Sequence, residues 1–285
     1  MCRKVGGDRH ENDEDGYARG EGHDKGERLP GEVREMSQTI VPITRGALLA
    51  AGRGTRLGHL TAHRPKPLIE VRGKPLLTWI VEGLRDAGIT DFLCVIGYLG
   101  EAIREHYGDG ASLGVGMEYA WQREANGTGA ALRLARSFAH DGPILMSFGD
   151  ILTAYAHYTR VIRAYERGRH AAVLGINPMD DVSAGAAVIR DGDRVVRIVE
   201  KPGPGDPVSR WNQAGVTAFS EAIWPVLERL PRSSRGEYEI TTAISMLIAD
   251  GQEVSAVEFD GFWSDVGTPK SLADAESAWP MRPGS

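Results

Sequence analysis

Residues 48–68 read LLAAGRGTRLGHLTAHRPKPL. An apolar run ending in small residues passes into Gly52 and Gly54, one residue apart. A buried strand hands the chain in this way to a loop whose backbone N–H groups can face an anion. Three readings are open at this point: a dinucleotide site, a nucleoside triphosphate site, or a turn that binds nothing.

The neighbouring sequence narrows the choice. A dinucleotide-binding unit continues its glycine loop directly into a helix and places a carboxylate at the end of the second strand. Here Pro65 and Pro67 interrupt the segment where that helix would run, and the next apolar run ends Val95-Ile96-Gly97-Tyr98 with no acid. A P-loop needs Gly-Lys-Ser/Thr at a fixed spacing, which is missing. What remains is a long loop with Arg56 at its glycine end and Lys66 between two prolines. A planar guanidinium fork and a compact ammonium on a stiff segment suit a polyphosphate.

Beyond the loop, short apolar runs alternate with helical patterns. Strands are expected at 47–51, 91–97, 116–120 and 144–148, and helices at 75–88, 101–107 and 128–138. Strands spaced by helices need crossovers, hence a mostly parallel sheet covered on both faces. After Tyr165 the runs 171–176, 185–189 and 195–199 are close-spaced strands, the last two joined by an Asp191-Gly192 turn. A helix at 240–250, with Glu237 and Glu239 at its start, a strand at 254–259 and a helix from Pro269 follow. The fold class is α/β, one domain over 41–280 with a mixed sheet and a β-rich second half.

Residues 1–40 are dense in Gly, Asp, Glu, Arg and His, too poor in apolar residues to offset their ordering entropy, and are expected to be a disordered extension. Met36, directly before the globular part, is the expected natural start. The net charge of −6 argues against a broad nucleic-acid or acidic-membrane footprint, so any phosphate site must be local. Of the two cysteines, Cys94 lies inside the apolar run Phe92-Leu93-Cys94-Val95-Ile96 and reads as a core thiol of a reducing compartment. No run of about 20 apolar residues suggests a spanning helix, and the charged N-terminus does not read as a signal peptide; the cytoplasm is the expected location. His59 and His63 share a ligand spacing, but Pro65 makes a helix there improbable.

Further motifs give the loop its context. Gly52-Arg53-Gly54-Thr55-Arg56 with Pro65-Lys66-Pro67 resembles the signature of the nucleotide-diphosphosugar pyrophosphorylases, the sugar-1-phosphate nucleotidyltransferases. Gln122-x-x-x-x-Gly127-Thr128 is similar to that family's base-reading segment, and Gly149-Asp150 ends an apolar strand where the family has its metal aspartate. Glu200-Lys201-Pro202 looks like its sugar and phosphate motif. Gly236-Glu237-Tyr238-Glu239-Ile240-Thr241 and Trp263-Ser264-Asp265-Val266-Gly267-Thr268-Pro269 match two later segments. The matches occur in the family order from about 46 to 275; one alone is weak, and the ordered set is specific.

The resemblance implies a Rossmann-like three-layer α/β/α nucleotidyltransferase fold with a β-rich sugar-binding portion. It implies attack of a hexose 1-phosphate on the α-phosphorus of a nucleoside triphosphate, with Mg²⁺, and release of pyrophosphate. It assigns Arg56, Lys66, Asp150 and Lys201 to catalysis, and Asp150 with Asp265 to the metal. Ala50, Gly52, Gly54, Thr55, Gln122, Gly127 and Thr128 fall to the nucleotide, and Gly185, Glu200, Lys201 and Gly215 to the sugar. Taken singly, each has a plainer reading as a turn, a cap or a solvated charge.

Gln122 offers donor and acceptor to a pyrimidine edge, which favours dTTP or UTP. Pro65-Lys66-Pro67-Leu68 and Gly149-Asp150-Ile151-Leu152 are also similar to guanylyl- and cytidylyltransferase branches. Two departures from the family pattern, Ser183-Ala184-Gly185-Ala186 without an aromatic residue and Thr241-Thr242 in place of Thr-Asp, leave the sugar open. A non-catalytic sugar-nucleotide sensor is the alternative from another class. A homo-oligomer is possible.

Overall fold

A computed structural model describes residues 41–206 and 209–280. The expectations for residues 1–40, including a start at Met36, lie outside these residues. The chain enters the sheet through β1 (Arg45–Ala50). The loop after it contains two short 3₁₀ segments, Thr55–Thr61 and Lys66–Leu68, rather than irregular chain alone. A small ribbon, β2 (Glu70–Val71) and β3 (Lys74–Pro75), leads to helix α1 (Leu76–Asp86). Then come β4 (Asp91–Ile96), α2 (Gly100–Tyr107), β5 (Gly116–Trp121), α3 (Thr128–Arg133) and β6 (Ile144–Phe148). Helix α3 ends earlier than its apolar pattern suggests; Arg136, Ala139 and Gly142 continue it only as turns.

The second half runs β7 (Ile151–Thr153), α4 (Tyr155–Glu166), β8 (Ala172–Pro178), β9 (Ala186–Asp191), β10 (Arg194–Glu200) and β11 (Trp211–Phe219). It closes with α5 (Ile223–Glu228), α6 (Ile240–Ala249), β12 (Val254–Glu258), β13 (Trp263–Asp265) and α7 (Pro269–Ala278). The sequence reading did not isolate β7, β11, β13, α4 or α5. The β9–β10 turn is shifted by one residue: Asp191 and Arg194 pair, so Gly192, at φ 56°, and Asp193 form it.

The nine-stranded sheet has the order β5-β4-β1-β6-β11-β8-β12-β10-β9. The β5, β4, β1 and β6 strands are parallel, as crossovers through helices require. β11 inserts antiparallel between β6 and β8, and β9 and β10 add an antiparallel hairpin, giving the mixed sheet and β-rich second half that the sequence indicates.

Adjacent residues of the central strands belong to different cores. Leu48, Cys94 and Leu145 pack with Leu77, Ile80 and Tyr158 on one face. Ala47, Leu93 and Ile144 pack with Leu132, Trp224 and Ile244 on the other. Both faces are therefore covered by helices, which explains why these strands read as continuous apolar runs. Cys94 is fully buried, and desolvation pushes its thiol pKa up to about 12. Among the described residues, no helix is long and apolar enough to cross a membrane.

Candidate active site

The chain passes from β1 to β4 and β5 on one side, then returns to β6 on the other, so the carboxyl ends of β1 and β6 flank a topological switch point, where open α/β sheets bind ligands. Small residues keep this rim open. A Cβ on Gly97 would lie 2.7 Å from the Ala51 carbonyl oxygen, and one on Gly149 3.2 Å from the Ala50 Cβ. The Gly149 amide donates to the Leu49 carbonyl at 2.9 Å, which ties the two strand ends together.

Above the rim lies a cleft of about 670 Å³, a size typical of small-molecule sites. Gly52, Arg56, Asp150 and Asp265 line it, as do Gln122, Gly127 and Thr128, and so do Gly185, Glu200 and Lys201. Motifs far apart in the chain thus share one cavity.

The cationic and acidic groups meet directly. Lys66 Nζ donates to Asp150 Oδ2 at 2.7 Å and to Asp265 Oδ1 at 3.2 Å, and Arg56 donates to Asp265 Oδ2 at 3.4 Å. The Lys66 side chain is 6% exposed, whereas those of Asp150 and Asp265 are 35% and 38% exposed. Burial alone would lower the Lys66 pKa; the two carboxylates outweigh it and hold it above the ordinary lysine value. Asp150 stands between β6 and β7, and Asp265 ends β13, whose partner is β7. Backbone pairing therefore sets the separation of the two acids.

These two acids fit a divalent metal of the oxygen-loving kind. They converge on one cationic position, remain open to the cleft, and have no third acid or histidine beside them: no cluster of three or more metal-ligating side chains occurs among the described residues. Mg²⁺ typically takes one or two carboxylates and completes its shell with water and substrate phosphate.

The segment 122–129 is zipped to the Tyr238 segment. Gly129 N donates to Tyr238 O at 2.7 Å, Tyr238 N to Asn126 O at 2.8 Å, and Ile240 N to Thr128 Oγ1 at 3.0 Å. Gly127 adopts φ 111°, and a Cβ there would sit 2.4 Å from the Tyr238 carbonyl oxygen. Gln122 Nε2 donates to Asn126 Oδ1 at 3.0 Å and to Gly127 O at 2.9 Å. A backbone carbonyl can only accept, so the amide nitrogen must face it, and Oε1 is left as the group to be offered to a ligand.

On the other side, the Lys201 amide donates to Gly185 O at 2.7 Å, and Lys201 holds φ 44°, unusual for a residue with a Cβ. Gly185 is packed on Asn212, whose Oδ1 would lie 2.1 Å from a Cβ there. Burial pushes the Glu200 carboxyl above its ordinary range, opposed by Arg235 and reinforced by Glu239.

Several assigned residues do not line the cleft. Ala50 is buried beneath it. Gly54, at φ 62°, turns the loop and lies against the Lys66 stem, with a Cβ position 3.0 Å from Lys66 Cβ; Thr55 opens the 3₁₀ segment and is exposed. Gly215, at φ 81°, forms the bulge that lets β11 pass Ile151, where a Cβ would be 2.3 Å from its side chain. The Ala214 carbonyl beside this bulge accepts the Trp263 indole N–H at 3.0 Å. Lys66 reaches the site only through its ammonium.

The sequence reading missed Arg235, which bridges Glu200 at 3.2 Å and Glu239 at 2.7 Å, and the buried amides Asn212 and Gln213. A signal for the latter was present: a glycine inside a strand, Gly215, marks a bulge and a close approach.

A family model described as nucleotidyl transferase matches residues 45–280. This chain belongs to the nucleotidyl transferase family. As a nucleotidyl transferase it is 35% identical over 232 residues to the UTP–glucose-1-phosphate uridylyltransferase AglF of Haloferax volcanii, spanning 80% of this chain and 93% of that protein. It is 32% identical over 229 residues to the glucose-1-phosphate thymidylyltransferase of Streptomyces antibioticus, covering 80% of this chain but only 64% of that enzyme. The fold is similar to a crystal structure of a putative glucose-1-phosphate thymidylyltransferase from Bacillus anthracis, with a TM-score of 0.77, 26% identity and coverage of 85% and 97% of the two chains. The expected family and its Rossmann-like α/β fold are borne out.

Proposed function

We propose that this nucleotidyl transferase, through the single domain of residues 41–280, joins a nucleoside triphosphate to a hexose 1-phosphate, giving a nucleoside diphosphate sugar and pyrophosphate. The observation that carries the reading is the meeting of Arg56, Lys66, Asp150 and Asp265 in a cleft also lined by Gln122, Glu200 and Lys201. The names of the relatives point the same way.

The nucleophile needs no base. A phosphate monoester has its second pKa near 6, so it is mostly ionised at neutral pH. The protein's task is positioning and charge neutralisation. Gly52, whose Cβ position meets nothing within 4 Å, leaves room for a phosphate against the backbone. Arg56 and Lys66 neutralise the triphosphate and leaving pyrophosphate. Lys201 meets the sugar phosphate, and Glu200 accepts from sugar hydroxyls. Asp150 and Asp265 would hold Mg²⁺, which supplies further charge neutralisation at the phosphates when bound.

Gln122 presents an acceptor. Uracil and thymine carry an N3–H at that edge, whereas cytosine carries an acceptor there; UTP or dTTP is favoured and CTP disfavoured. Guanine, with its N1–H, is the alternative. The reaction is assigned to the cytoplasm, a reducing compartment that suits the buried free thiol of Cys94.

Incubating the full chain with Mg²⁺, each nucleoside triphosphate and a panel of hexose 1-phosphates, and identifying products by mass, tests this reading. A UDP- or dTDP-hexose is expected. A CDP-hexose would overturn the reading of Gln122, and binding of triphosphate with no product from any pair would favour a sensor.

A further inference from the structure

The reading above places a divalent cation between Asp150 and Asp265, yet that position is where the Lys66 ammonium lies, 2.7 Å from one carboxylate and 3.2 Å from the other. Arg56 shares Asp265 at 3.4 Å, so two cations balance two acids. Metal–oxygen distances for Mg²⁺ are about 2.0–2.1 Å, and a second cation on the same oxygens would be strongly repelled.

The two basic residues differ in how they can yield. The Arg56 side chain is 61% exposed and can turn into solvent. Lys66 has no such exit, with a side chain 6% exposed. Its stem lies against Gly54, and its backbone is fixed by Pro65 and Pro67 and by the hydrogen bonds from Leu68 N to Pro65 O and from Ile69 N to Lys66 O. Only the terminal bonds of Lys66 are free to swing. Once displaced by a lone metal ion, the ammonium would be a buried charge without a partner, an expensive state. A triphosphate changes the balance, because its oxygens offer the ammonium a new anion while coordinating the incoming metal.

Resting on the proposed function, we propose that Lys66 is the resident counter-ion of the Asp150–Asp265 pair in the nucleotide-free enzyme, so that the divalent cation enters only with a triphosphate that draws the ammonium away. Lys66 thereby couples metal binding to nucleotide binding and keeps the site from loading metal alone.

Mn²⁺ is the probe, its binding to the full chain followed by electron paramagnetic resonance without any nucleotide. Lys66→Met should bind Mn²⁺ about 10-fold or more tightly than the wild type, the scale of neighbouring-group effects on metal affinity. Lys66→Gln serves as a second variant should Met impair folding, which circular dichroism reports. Mn²⁺ affinity in the wild type equal to that in these variants would overturn the proposal. Asp150→Asn in the Lys66→Met background separates the two failures. If Mn²⁺ binding survives that change, the metal reading itself falls and the proposal with it; if binding is lost there but Lys66→Met alone gives no gain, only the counter-ion proposal falls.

Discussion

The amide of Val266 donates to the carbonyl of Asp150 at 3.1 Å. This one backbone bond, continued by the pairing of Asp265 with Ile151, carries two acids far apart in the chain to the same place. The spacing of the carboxylates is thus a property of strand pairing, which resists side-chain fluctuation better than loop contacts would.

The zipped contact between Gly127 and Tyr238 is sensitive to a single methyl group. Gly127→Ala would place a Cβ 2.4 Å from the Tyr238 carbonyl oxygen on a backbone at φ 111°. Destabilisation of about 1–3 kcal/mol is expected from the strain. Urea unfolding measures it, and an unchanged midpoint would contradict the packing described.

The proposed function sets Gln122 against the nucleotide and not the sugar. Gln122→Ala should raise the KM for the triphosphate about 10-fold, equivalent to one hydrogen bond of about 1.4 kcal/mol, with a smaller effect on the sugar 1-phosphate. Steady-state kinetics with each substrate varied in turn checks the asymmetry.

On the proposed reading Glu200 accepts from a sugar hydroxyl, and it does so more strongly when ionised. Burial raises its pKa while Arg235 opposes the rise, so beside the fall at about pH 6 from the substrate's own second ionisation, kcat/KM for the sugar phosphate should show an acid limb from Glu200 above the ordinary glutamate value near 4.3. Arg235→Gln removes the favourable charge and moves that limb to still higher pH. Arg235→Lys should restore part of it. A limb that stays in place in Arg235→Gln would separate Glu200 from the profile.

Cys94 is sealed in the core with its thiol pKa raised to about 12. Alkylating reagents at pH 8 should leave it unmodified in the folded protein and label it rapidly in denaturant. Mass spectrometry of the tryptic peptide reads the difference.

The parallel half of the fold was legible because β1, β4 and β6 are buried along nearly their whole length and each crossover carries a helical pattern. β11 was not, since Gly215 breaks its apolar run for the sake of a bulge against Ile151. The short strands β7 and β13 span three residues each, too few to show a period. In the site, Asp150 and Lys66 stood out by position, one at a strand end and one between prolines. Gly54 carries a packing role that residue type alone does not show: its positive φ turns the loop and sets it against Lys66. Arg235 escaped notice because its partners, Glu200 and Glu239, come together only through the tertiary fold.

The proposed transfer uses both a sugar phosphate and the Asp150 carboxylate. Pyrophosphate release should therefore be measured with Mg²⁺ and triphosphate, with and without hexose 1-phosphate, for the wild type and Asp150→Asn. Release by the wild type only when the sugar phosphate is present, falling on the order of 100-fold or more in Asp150→Asn with its thermal midpoint little changed, is the expected result. Equal release with and without the sugar phosphate, or undiminished release by Asp150→Asn, would contradict it.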